Sequence, residues 1–344
     1  MRFSTIQGDI APKIMSKDGY MKAFARYRYG STKQLKIVTL PIPTPRSNEV
    51  CIKICATSLN ASDWEFLTGR PAYTRFWGLR KPKITILGSD ISGTLMSVGS
   101  GVSEFKPGDA VFGDIMEYWG GFGEYAVAPA SMLMTKPKWI SHQQAACLPQ
   151  SSCVAWQALE KIGPLYAGSS ILINGAGGGA GSFAIQLAKR LGAKVTAVDS
   201  VNKFSHMRQM GADRVIDYRQ TDYCREQHQY DGILDFVASH TVFDNSHVLK
   251  PRGKYYVVGG RVSNILKTLV FGTLMTFIGK KKVRVLAAQP NKHLEDIIIR
   301  VEHKDIIIPI DRQFGFKDIP QAMQYLGEGQ ARGKVVINVE NQNI

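Results

Sequence analysis

The stretch Ile-Leu-Ile-Asn-Gly-Ala-Gly-Gly-Gly-Ala-Gly at residues 171–181 decides the fold of this chain. In it an apolar strand, residues 171–173, turns into an amphipathic helix that the pattern predicts over residues 182–191. Glycine permits the tight turn, lets the backbone approach a pyrophosphate and allows close packing of helix on strand, and the helix N-terminus offers unpaired N–H donors. The stretch predicts a dinucleotide site with the loop residues Gly175, Ala176, Gly177, Gly178, Gly179, Ala180 and Gly181.

A second strand, predicted over residues 194–198, supports this interpretation because it is followed by an acid, Asp199. An acidic residue about twenty positions after the glycines is expected to bind ribose hydroxyls. Beyond residue 145 strands and helices alternate, with helices predicted at 153–162 and 204–210 and strands at 170–174, 214–216, 232–237, 254–258 and 283–288. This alternation indicates an α/β fold with a doubly wound parallel sheet of the Rossmann type.

The length of 344 residues suits two domains rather than one core. Residues 21–143 form short alternating runs punctuated by Pro, Gly and Ser, which predict an antiparallel, barrel-like domain. A helix predicted at 294–301 and a strand at 334–339 are interpreted as a return to it. We therefore expect a barrel domain of residues 21–143 and 289–344, a Rossmann domain of residues 144–288, and a flexible extension of residues 1–20.

Charge and cysteine usage limit the function classes. The chain carries 43 Lys and Arg against 28 Asp and Glu, a net charge of +15 that fits nucleic acid, an anionic membrane surface or acidic cofactors and substrates. The five cysteines form no CxxC pair, and their odd number argues against a disulfide framework, so we expect a reducing, cytoplasmic location. The longest apolar run, residues 262–279, is interrupted by Asn264 and Lys267 and is predicted to lie on a surface at most.

Several segments together resemble one family. They are Ser58-Leu-Asn-Ala-Ser-Asp63, Leu87-Gly-Ser-Asp90-Ile-Ser-Gly93, Gly211-Ala-Asp-Arg-Val-Ile-Asp-Tyr218 and Arg332-Gly-Lys-Val-Val336. With the order of barrel, Rossmann unit and short return, the chain resembles the medium-chain dehydrogenase/reductase superfamily from Met21 to its end, and the segments point to the quinone-oxidoreductase branch. The resemblance implies a GroES-like β-barrel catalytic domain next to the Rossmann domain.

The chain departs from the zinc alcohol dehydrogenases of the same superfamily. Where those enzymes place a cysteine ligand it has Asn60-Ala-Ser-Asp63, and where they carry a His-Glu pair it has Ser89-Asp90. Their lobe of four closely spaced cysteines is missing as well, since residues 112–124 contain none. Thiolate and imidazole are what a tetrahedral zinc site needs. We therefore predict no zinc and no metal ligands.

Without a Lewis acid the substrate must already be electrophilic, as a quinone or an α,β-unsaturated carbonyl (enone or alkenal) is. Hydrogen bonds would stabilise the oxygen that becomes negative on hydride transfer. The resemblance implies Asn60 as the side-chain donor, and Asp63 and Tyr118 are further catalytic candidates. The alternative for Asp63 is a turn-capping carboxylate, and the alternative for Tyr118 is a wall or surface residue.

The nucleotide preference rests on opposing charges. Asp199 would bind a bare 2′-hydroxyl and repel a 2′-phosphate, whereas Lys203 and Tyr218 match positions that hold the 2′-phosphate in NADPH-using quinone oxidoreductases. We predict NAD(P)H as the cofactor and favour NADH, with dual use open. The further positions assigned to the cofactor, beside Asp199 or bordering the nicotinamide ribose, are Ser200, Val237, Ala238, Gly259 and Gly260.

Two expectations concern partners. The strand within residues 281–288 is predicted at the outer edge of the Rossmann sheet, so we expect a homodimer through that strand. The alternative function is a cofactor-binding protein with little turnover whose basic surface binds RNA or an anionic membrane. Tyr73, Phe76 and Trp77 beside Arg75 and Arg80 would suit nucleic acid, or else a flap over the substrate pocket.

Overall fold

The computed structural model of the chain describes residues 19–76, 78–278 and 281–340, without the side chains of 273, 274, 277 and 278. Nearly all of the predicted N-terminal extension, residues 1–18, lies outside this description, as does Trp77. The described chain divides into two compact units. The first, called the barrel unit, contains residues 19–138, 314–327 and 337–340, and the second, called the nucleotide unit, contains residues 139–313 and 328–336.

The barrel unit is built from antiparallel strands, as the alternating runs predicted. Its elements up to residue 138 are the strands β1 Tyr20–Ala25, β2 Lys36–Pro41, β3 Glu49–Leu59, β4 Asp90–Val98, β5 Ala110–Asp114, β6 Tyr125–Pro129 and β7 Met134–Thr135, and the helix α1 Ala61–Thr68. Strand β3 pairs with both β4 and β6, β4 pairs with β5, and β5 pairs with β7. Strand β1 pairs with β2.

Close packing around β3 explains part of the barrel sequence. Cys51 and Cys55 are buried in this strand and act as small core residues. Gly93 on the paired strand β4 approaches the Lys53 carbonyl so closely that an added Cβ would lie 2.1 Å from its oxygen. Any larger residue at position 93 would therefore push the two central strands apart.

The nucleotide unit alternates helices and strands. Its elements are α2 His142–Ala146, α3 Pro149–Ile162, β8 Ser170–Asn174, α4 Gly179–Arg190, β9 Lys194–Asp199, α5 Phe204–Gln209, β10 Arg214–Asp217, β11 Tyr230–Asp235, α6 Val242–His247, β12 Leu249–Val257, α7 Val262–Ile278, β13 Lys282–Val285 and α8 Leu294–Glu302. The chain continues with β14 Ile310–Gly315, α9 Ile319–Gly327 and β15 Lys334–Asn338.

The sheet of the nucleotide unit has six strands in the order β10-β9-β8-β11-β12-β13, and every pair is parallel. The chain order reverses at β8, because β9 and β10 lie on one side of it and β11 to β13 on the other. Ligands of doubly wound sheets bind beyond the carboxyl end of the strands at such a switch point. The glycine run follows β8 directly and so lies there, and the predicted Rossmann fold is confirmed.

Some predicted boundaries differ from the structure. Helix α4 begins at Gly179, three residues before the predicted start, because the glycines after the turn already belong to the helix. Strand β13 ends at Val285 rather than at residue 288. Residues 139–143, 289–313 and 328–336, which the sequence assigned to the barrel, group with the nucleotide unit. One link at the start of the second segment is the pair of hydrogen bonds that Gln157 exchanges with the backbone of Gln289, at 2.8 and 2.9 Å.

Helix α7 contains the apolar run of the sequence. Among the described residues no helix is both long and apolar enough to cross a bilayer. Asn264, which interrupts the run, is buried and donates to the Ala238 carbonyl at 2.8 Å. The other side of α7 exposes a surface that we call the α7 face, consisting of Leu266, Leu269, Val270 and Phe271. The polar residue thus anchors the helix while the apolar ones remain outside.

Candidate functional site

The glycine loop, residues 175–181, has space for an added Cβ at Gly178 but none at Gly181. Gly178 precedes α4, and a Cβ added to it would find only the Gly175 oxygen, 3.7 Å away. A Cβ on Gly181 would lie 2.4 Å from that same oxygen and 2.5 Å from the Ala176 Cα. Gly181 is therefore required for packing helix on strand, whereas the fold alone does not require glycine at position 178. Gly175 has φ +81°, a left-handed conformation that favours glycine.

Asp199 contacts this loop. One oxygen of its carboxylate accepts the N–H of Gly177 at 3.0 Å, and the other accepts the N–H of Ser200 at 2.8 Å. The ammonium of Lys203 lies 3.4 Å from Asp199 Oδ1, and the Lys203 side chain is buried. The sequence predicted these residues on the same site, and the structure brings them together. The carboxylate thus holds the lysine close to the loop and offsets part of its charge.

Tyr218 lies next to the same group, since its N–H donates to the Asp199 carbonyl at 3.4 Å. Its ring is half exposed, and the Arg219 guanidinium lies over it at 5.5 Å from the centroid. The Arg219 Nε also donates to the Tyr218 hydroxyl at 3.3 Å. The sequence analysis did not single out Arg219, although its position beside Tyr218 in the sequence was a usable signal.

Two further residues near the loop were missed. Lys334 is almost fully buried, donates to Ser151 Oγ at 3.1 Å, and its Cδ would lie 2.8 Å from a Cβ on Gly179. This places a cation near the first turn of α4. His206 Nε2 lies 2.7 Å from Ser182 Oγ, and burial lowers the pKa of this imidazole below its ordinary value. Neither contact follows from spacing in the sequence.

The loops that follow β11 and β12 meet beside the glycine run. The buried carboxylate of Asp235 accepts the N–H groups of Val237 and Ala238 at 3.0 and 2.7 Å and the amide of Asn174 at 2.8 Å. Burial raises the pKa of this carboxyl. A Cβ on Gly260 would lie 1.8 Å from the Val237 oxygen, and a Cβ on Gly175 would lie 2.8 Å from Val237 Cγ2. Val237, Ala238 and Gly260 are thus fixed next to the dinucleotide loop.

In the barrel unit, the two segments that would carry zinc ligands by family position converge on one buried polar cluster. The amide of Asn60 donates to Asp90 Oδ2 at 2.9 Å and, more weakly, to Ser89 Oγ at 3.4 Å. Ser58 Oγ also donates to Asp90 Oδ2, at 3.3 Å. All four side chains are at most 5% exposed. The cluster, which we call the Asn60 cluster, contains an amide, hydroxyls and a carboxylate, and neither thiolate nor imidazole.

Asp63 adjoins the cluster through the backbone. Its carboxylate accepts the N–H of Asn60 at 2.8 Å and the N–H of Gly88 at 2.9 Å, and the side chain is fully buried. These are the contacts of a carboxylate that caps the start of α1, which is the alternative that the sequence left open. Asp63 thereby positions Asn60, and a direct role in catalysis stays a prediction.

Tyr118 lies elsewhere in the barrel unit. Its ring is 43% exposed and lines an open cavity of about 600 Å³ together with Arg46, Glu49 and others. As far as the described residues show, neither Asn60 nor Asp63 lines this cavity. Partial burial and the nearby Glu49 carboxylate raise the pKa of the Tyr118 hydroxyl. The contacts shown are those of the alternative interpretation, a wall or surface residue.

The basic segment after α1 is tied to its own unit. Arg75 Nε donates to the Gly69 carbonyl at 2.9 Å, and its guanidinium lies 4.9 Å from the centroid of Tyr29. Tyr29 in turn donates to the Gly78 carbonyl at 2.7 Å. Phe76 remains 85% exposed. The segment is therefore anchored at Arg75 and presents the Phe76 ring outward.

The chain is similar to known proteins over both the barrel unit and the nucleotide unit. A family model described as alcohol dehydrogenase GroES-like domain matches residues 46–138, and one described as zinc-binding dehydrogenase matches residues 210–337. A 2-methylene-furan-3-one reductase of Solanum lycopersicum is 33% identical over 92% of this chain and 79% of its own length. The mitochondrial NAD(P)H oxidoreductase RTN4IP1 of Bos taurus is 33% identical over 93% of this chain and 89% of its own length.

A solved structure shows the same fold over nearly the whole chain. The quinone oxidoreductase from Coxiella burnetii is 28% identical, with a TM-score of 0.84 that covers 93% of this chain and all of that one. The sequence relatives cover both units as well. The chain belongs to the medium-chain dehydrogenase/reductase superfamily, in its quinone-oxidoreductase-like branch, and is an oxidoreductase.

Proposed function

We propose that this protein is a zinc-independent reductase that transfers hydride from NAD(P)H to a quinone or an α,β-unsaturated carbonyl compound. The observation that carries the proposal is the Asn60 cluster. At the positions where the zinc alcohol dehydrogenases have metal ligands, this cluster has side chains that hydrogen-bond one another. These side chains are an amide, hydroxyls and a carboxylate, and not the thiolate and imidazole of a tetrahedral zinc site. Such a barrel can donate hydrogen bonds to a substrate but offers no strong Lewis acid.

The nucleotide unit contains the groups that would hold the cofactor. The N–H donors at the start of α4 and the ammonium of Lys334 would bind its pyrophosphate, and Asp199 would bind a ribose. Val237, Ala238, Gly259 and Gly260 would border the second ribose. When bound, NAD(P)H supplies the hydride. The open space in front of Gly178 is consistent with a ligand that approaches the backbone there.

For the nucleotide preference we propose NADH, with NADPH accepted. The Asp199 carboxylate is fixed by the N–H groups of Gly177 and Ser200 and would accept a ribose hydroxyl from there. Lys203 is the cation that would favour a 2′-phosphate, but it is already paired with Asp199. Arg219 stacks on Tyr218 and is available to a 2′-phosphate, which supports dual use.

On the barrel side, Asn60 is the side chain that we assign to the substrate oxygen. Asp90 accepts one N–H of the amide at 2.9 Å and so fixes its orientation, while the contact of the amide with Ser89 is long enough to exchange for a better acceptor. An amide N–H aimed at a developing enolate or hydroquinone oxygen lowers the barrier by electrostatic stabilisation. The name of the tomato relative, a reductase of a methylene-furanone, fits an activated alkene as the substrate class.

The test is oxidation of NADH and NADPH by a panel of quinones, alkenals and cyclic enones, before and after exhaustive dialysis against a chelator. We expect turnover with at least one of these classes and the same rate in both samples. Turnover that disappears with the chelator and returns with zinc would contradict zinc independence. Turnover with simple alcohols and NAD⁺ but not with any activated acceptor would contradict the substrate class.

A second candidate function is binding of RNA or of an anionic membrane with little turnover. The net charge of +15 and the exposed α7 face support it. Binding of this kind weakens steeply as salt rises, whereas hydride transfer to a neutral quinone does not. A cytoplasmic location stays our expectation, although the bovine relative is named as mitochondrial.

We further propose a homodimer formed through β13, the last strand of the six-stranded sheet among the described residues. The Leu286 N–H donates to Val257 on β12, so by strand alternation the N–H groups of Val283 and Val285 point to the outer side. The Val283 N–H is bound by Thr276 Oγ1 of α7 at 3.2 Å. The helix thus covers one end of the edge, which leaves Val285 for a partner.

A further inference from the structure

A cluster of three possible metal ligands lies in the nucleotide unit and shares no residue with the Asn60 cluster. Asp222, Cys224 and His240 each offer one ligand atom, and these atoms all lie within 4.8 Å of one another. Asp222 and Cys224 belong to the segment after β10, and His240 belongs to the loop after β11. All three side chains are partly exposed, so an ion from solution can reach them.

The geometry of the imidazole suits a metal. His240 Nε2 lies 3.0 Å from Asp222 Oδ1, close to the roughly 3.3 Å that separates two ligand atoms bound at ~2.0 Å in a tetrahedral site. The other ring nitrogen, Nδ1, lies 3.1 Å from Ser239 Oγ, which also accepts from the Asn174 amide at 3.3 Å. A ligand histidine is commonly held by such a hydrogen bond through its second nitrogen.

The surroundings of the thiol favour a cation. Cys224 is partly buried, and the carboxylates of Asp222, Asp244 and Asp235 lie close enough to act on it electrostatically. Arg225 pairs with Asp222 Oδ2 at 3.3 Å, while Oδ1 accepts the Cys224 backbone N–H at 3.0 Å and faces His240. Carboxylates from three different segments thus surround the thiol.

We propose that Asp222, Cys224 and His240 form a Zn²⁺ site. A thiolate, an imidazole and a carboxylate oxygen are three of the ligand types that zinc binds, and water would complete the tetrahedron. The ion would link the segment after β10 to the loop after β11, which leads from the Val237 and Ala238 turn. With three protein ligands the ion keeps one open, water-filled position, and its effect here is to tie two segments of the nucleotide unit together. The site is separate from the barrel position at which the proposed function dispenses with zinc, and no step of the proposed hydride transfer uses it.

The experiment uses the full chain, freed of metal by a chelator and then titrated with Co²⁺, which reports a bound thiolate through an intense charge-transfer band in the near ultraviolet. The variants are Cys224→Ser, His240→Gln and Asp222→Asn. His303→Gln is the matched control, because His303 is an exposed histidine of the same unit outside the cluster. Circular dichroism of each variant monitors the fold.

We expect one Co²⁺ per chain, a thiolate band that Zn²⁺ abolishes by displacement, and a higher melting temperature of the parent protein with Zn²⁺. Cys224→Ser should lose the band, His240→Gln and Asp222→Asn should bind at least about tenfold more weakly, and His303→Gln should bind as the parent does. Absence of the band in the parent, its persistence in Cys224→Ser, or unchanged affinity in folded His240→Gln would each overturn the site. Turnover of folded Cys224→Ser with and without chelator tests the proposed function separately, because this variant lacks the proposed zinc site.

Discussion

The glycine loop of the nucleotide unit and the Asn60 cluster of the barrel unit are both candidate binding regions, but they are built in opposite ways. The loop works through its backbone, and a Cβ added at Gly178 would lie near only the Gly175 oxygen, 3.7 Å away. The cluster works through side chains that are buried and bonded to one another. A backbone requirement leaves a recognisable residue type at each position, whereas a side-chain network can be built from many combinations.

The largest expected effects separate two glycines of the loop. Gly181→Val should unfold the nucleotide unit or destabilise it severely, because its Cβ would overlap the backbone of Gly175 and Ala176. Gly178→Val should keep the fold and lose cofactor affinity by roughly 100-fold or more, since a branched side chain would fill the space of the pyrophosphate. Circular dichroism and nucleotide titration measure the two effects. A folded Gly178→Val protein with the affinity of the parent would contradict the phosphate placement.

The Asn60 cluster is tested next. Asn60→Ala removes the amide that pairs with Asp90, so we expect kcat to fall by about 10²-fold or more and stability to fall by about 1–3 kcal/mol. Ser89→Ala is the matched comparison, because it keeps the Asn60 amide and removes only a hydroxyl that the amide reaches at 3.4 Å, so kcat should fall less than in Asn60→Ala. Steady-state kinetics and thermal melts give the comparison. An Asn60→Ala protein that is less stable but turns over like the parent would show that the amide is only structural.

Nucleotide selectivity should respond more moderately. Asp199→Ser removes the carboxylate that repels a 2′-phosphate and at the same time releases Lys203 from its ion pair. Selectivity should shift towards NADPH by roughly 1–2 kcal/mol, about tenfold. The measurement is kcat/KM for both cofactors in parent and variant. An unchanged ratio would mean that Asp199 does not face the 2′ position.

Two surfaces are candidates for the proposed dimer interface: the edge of strand β13 and the α7 face. If β13 joins two copies, Val285→Pro removes an outward N–H donor from the strand and should produce monomers in light scattering. Val270→Asp charges the α7 face instead and should leave the dimer intact if only the strand edge is used. A parent protein of monomer mass at micromolar concentration would contradict the dimer. Monomers from Val270→Asp alone would move the interface to the helix.

The sequence predicted the fold class and the proximity of several candidate residues, and what it missed depends on contacts between segments far apart in the chain. The loop glycines, Asp199 and Lys203 lie together as predicted because chain geometry between consecutive strands brings them together. Lys334 and His206 lie near the loop through contacts with Ser151 and Ser182, respectively. Their positions in the sequence give no sign of these contacts. Residues 289–313 were assigned to the barrel because periodicity contains no information on the bonds of Gln157.

The contacts in the barrel were harder to predict for a similar reason. Asp63 matches a family segment, but its acceptance of two backbone N–H groups depends on Gly88, which lies far away in the sequence. Tyr118 was chosen by residue type, and the structure places it on a cavity whose described lining includes neither Asn60 nor Asp63. A polar residue type can be read from sequence, but whether it faces a ligand or satisfies the protein depends on tertiary contacts.

The smallest expected effect concerns the protonation of His206, whose ring lies against Ser182 in helix α4. Ser182 Oγ donates to the Gly178 carbonyl at 2.7 Å, so its lone pair accepts the Nε2–H of a neutral His206. Burial is the main reason why the pKa of His206 is lowered; the positive charges of Lys203 and Arg332 act in the same direction, and the carboxylates of Asp311 and Asp199 act against them. The folded protein therefore favours the neutral ring.

The sign of the pH dependence follows from this lowered pKa. Above the unfolded value of about 6.5 both states hold a neutral ring, and the full stability is present. As the pH falls from there through the lowered folded-state pKa, the unfolded chain takes up a proton before the folded one, so stability is lost. His206→Gln keeps a side-chain donor to Ser182 without a titrating group, and its melting temperature should fall less than that of the parent between pH 7 and pH 5. Equal slopes for the two proteins would show that the ring is as easily protonated folded as unfolded.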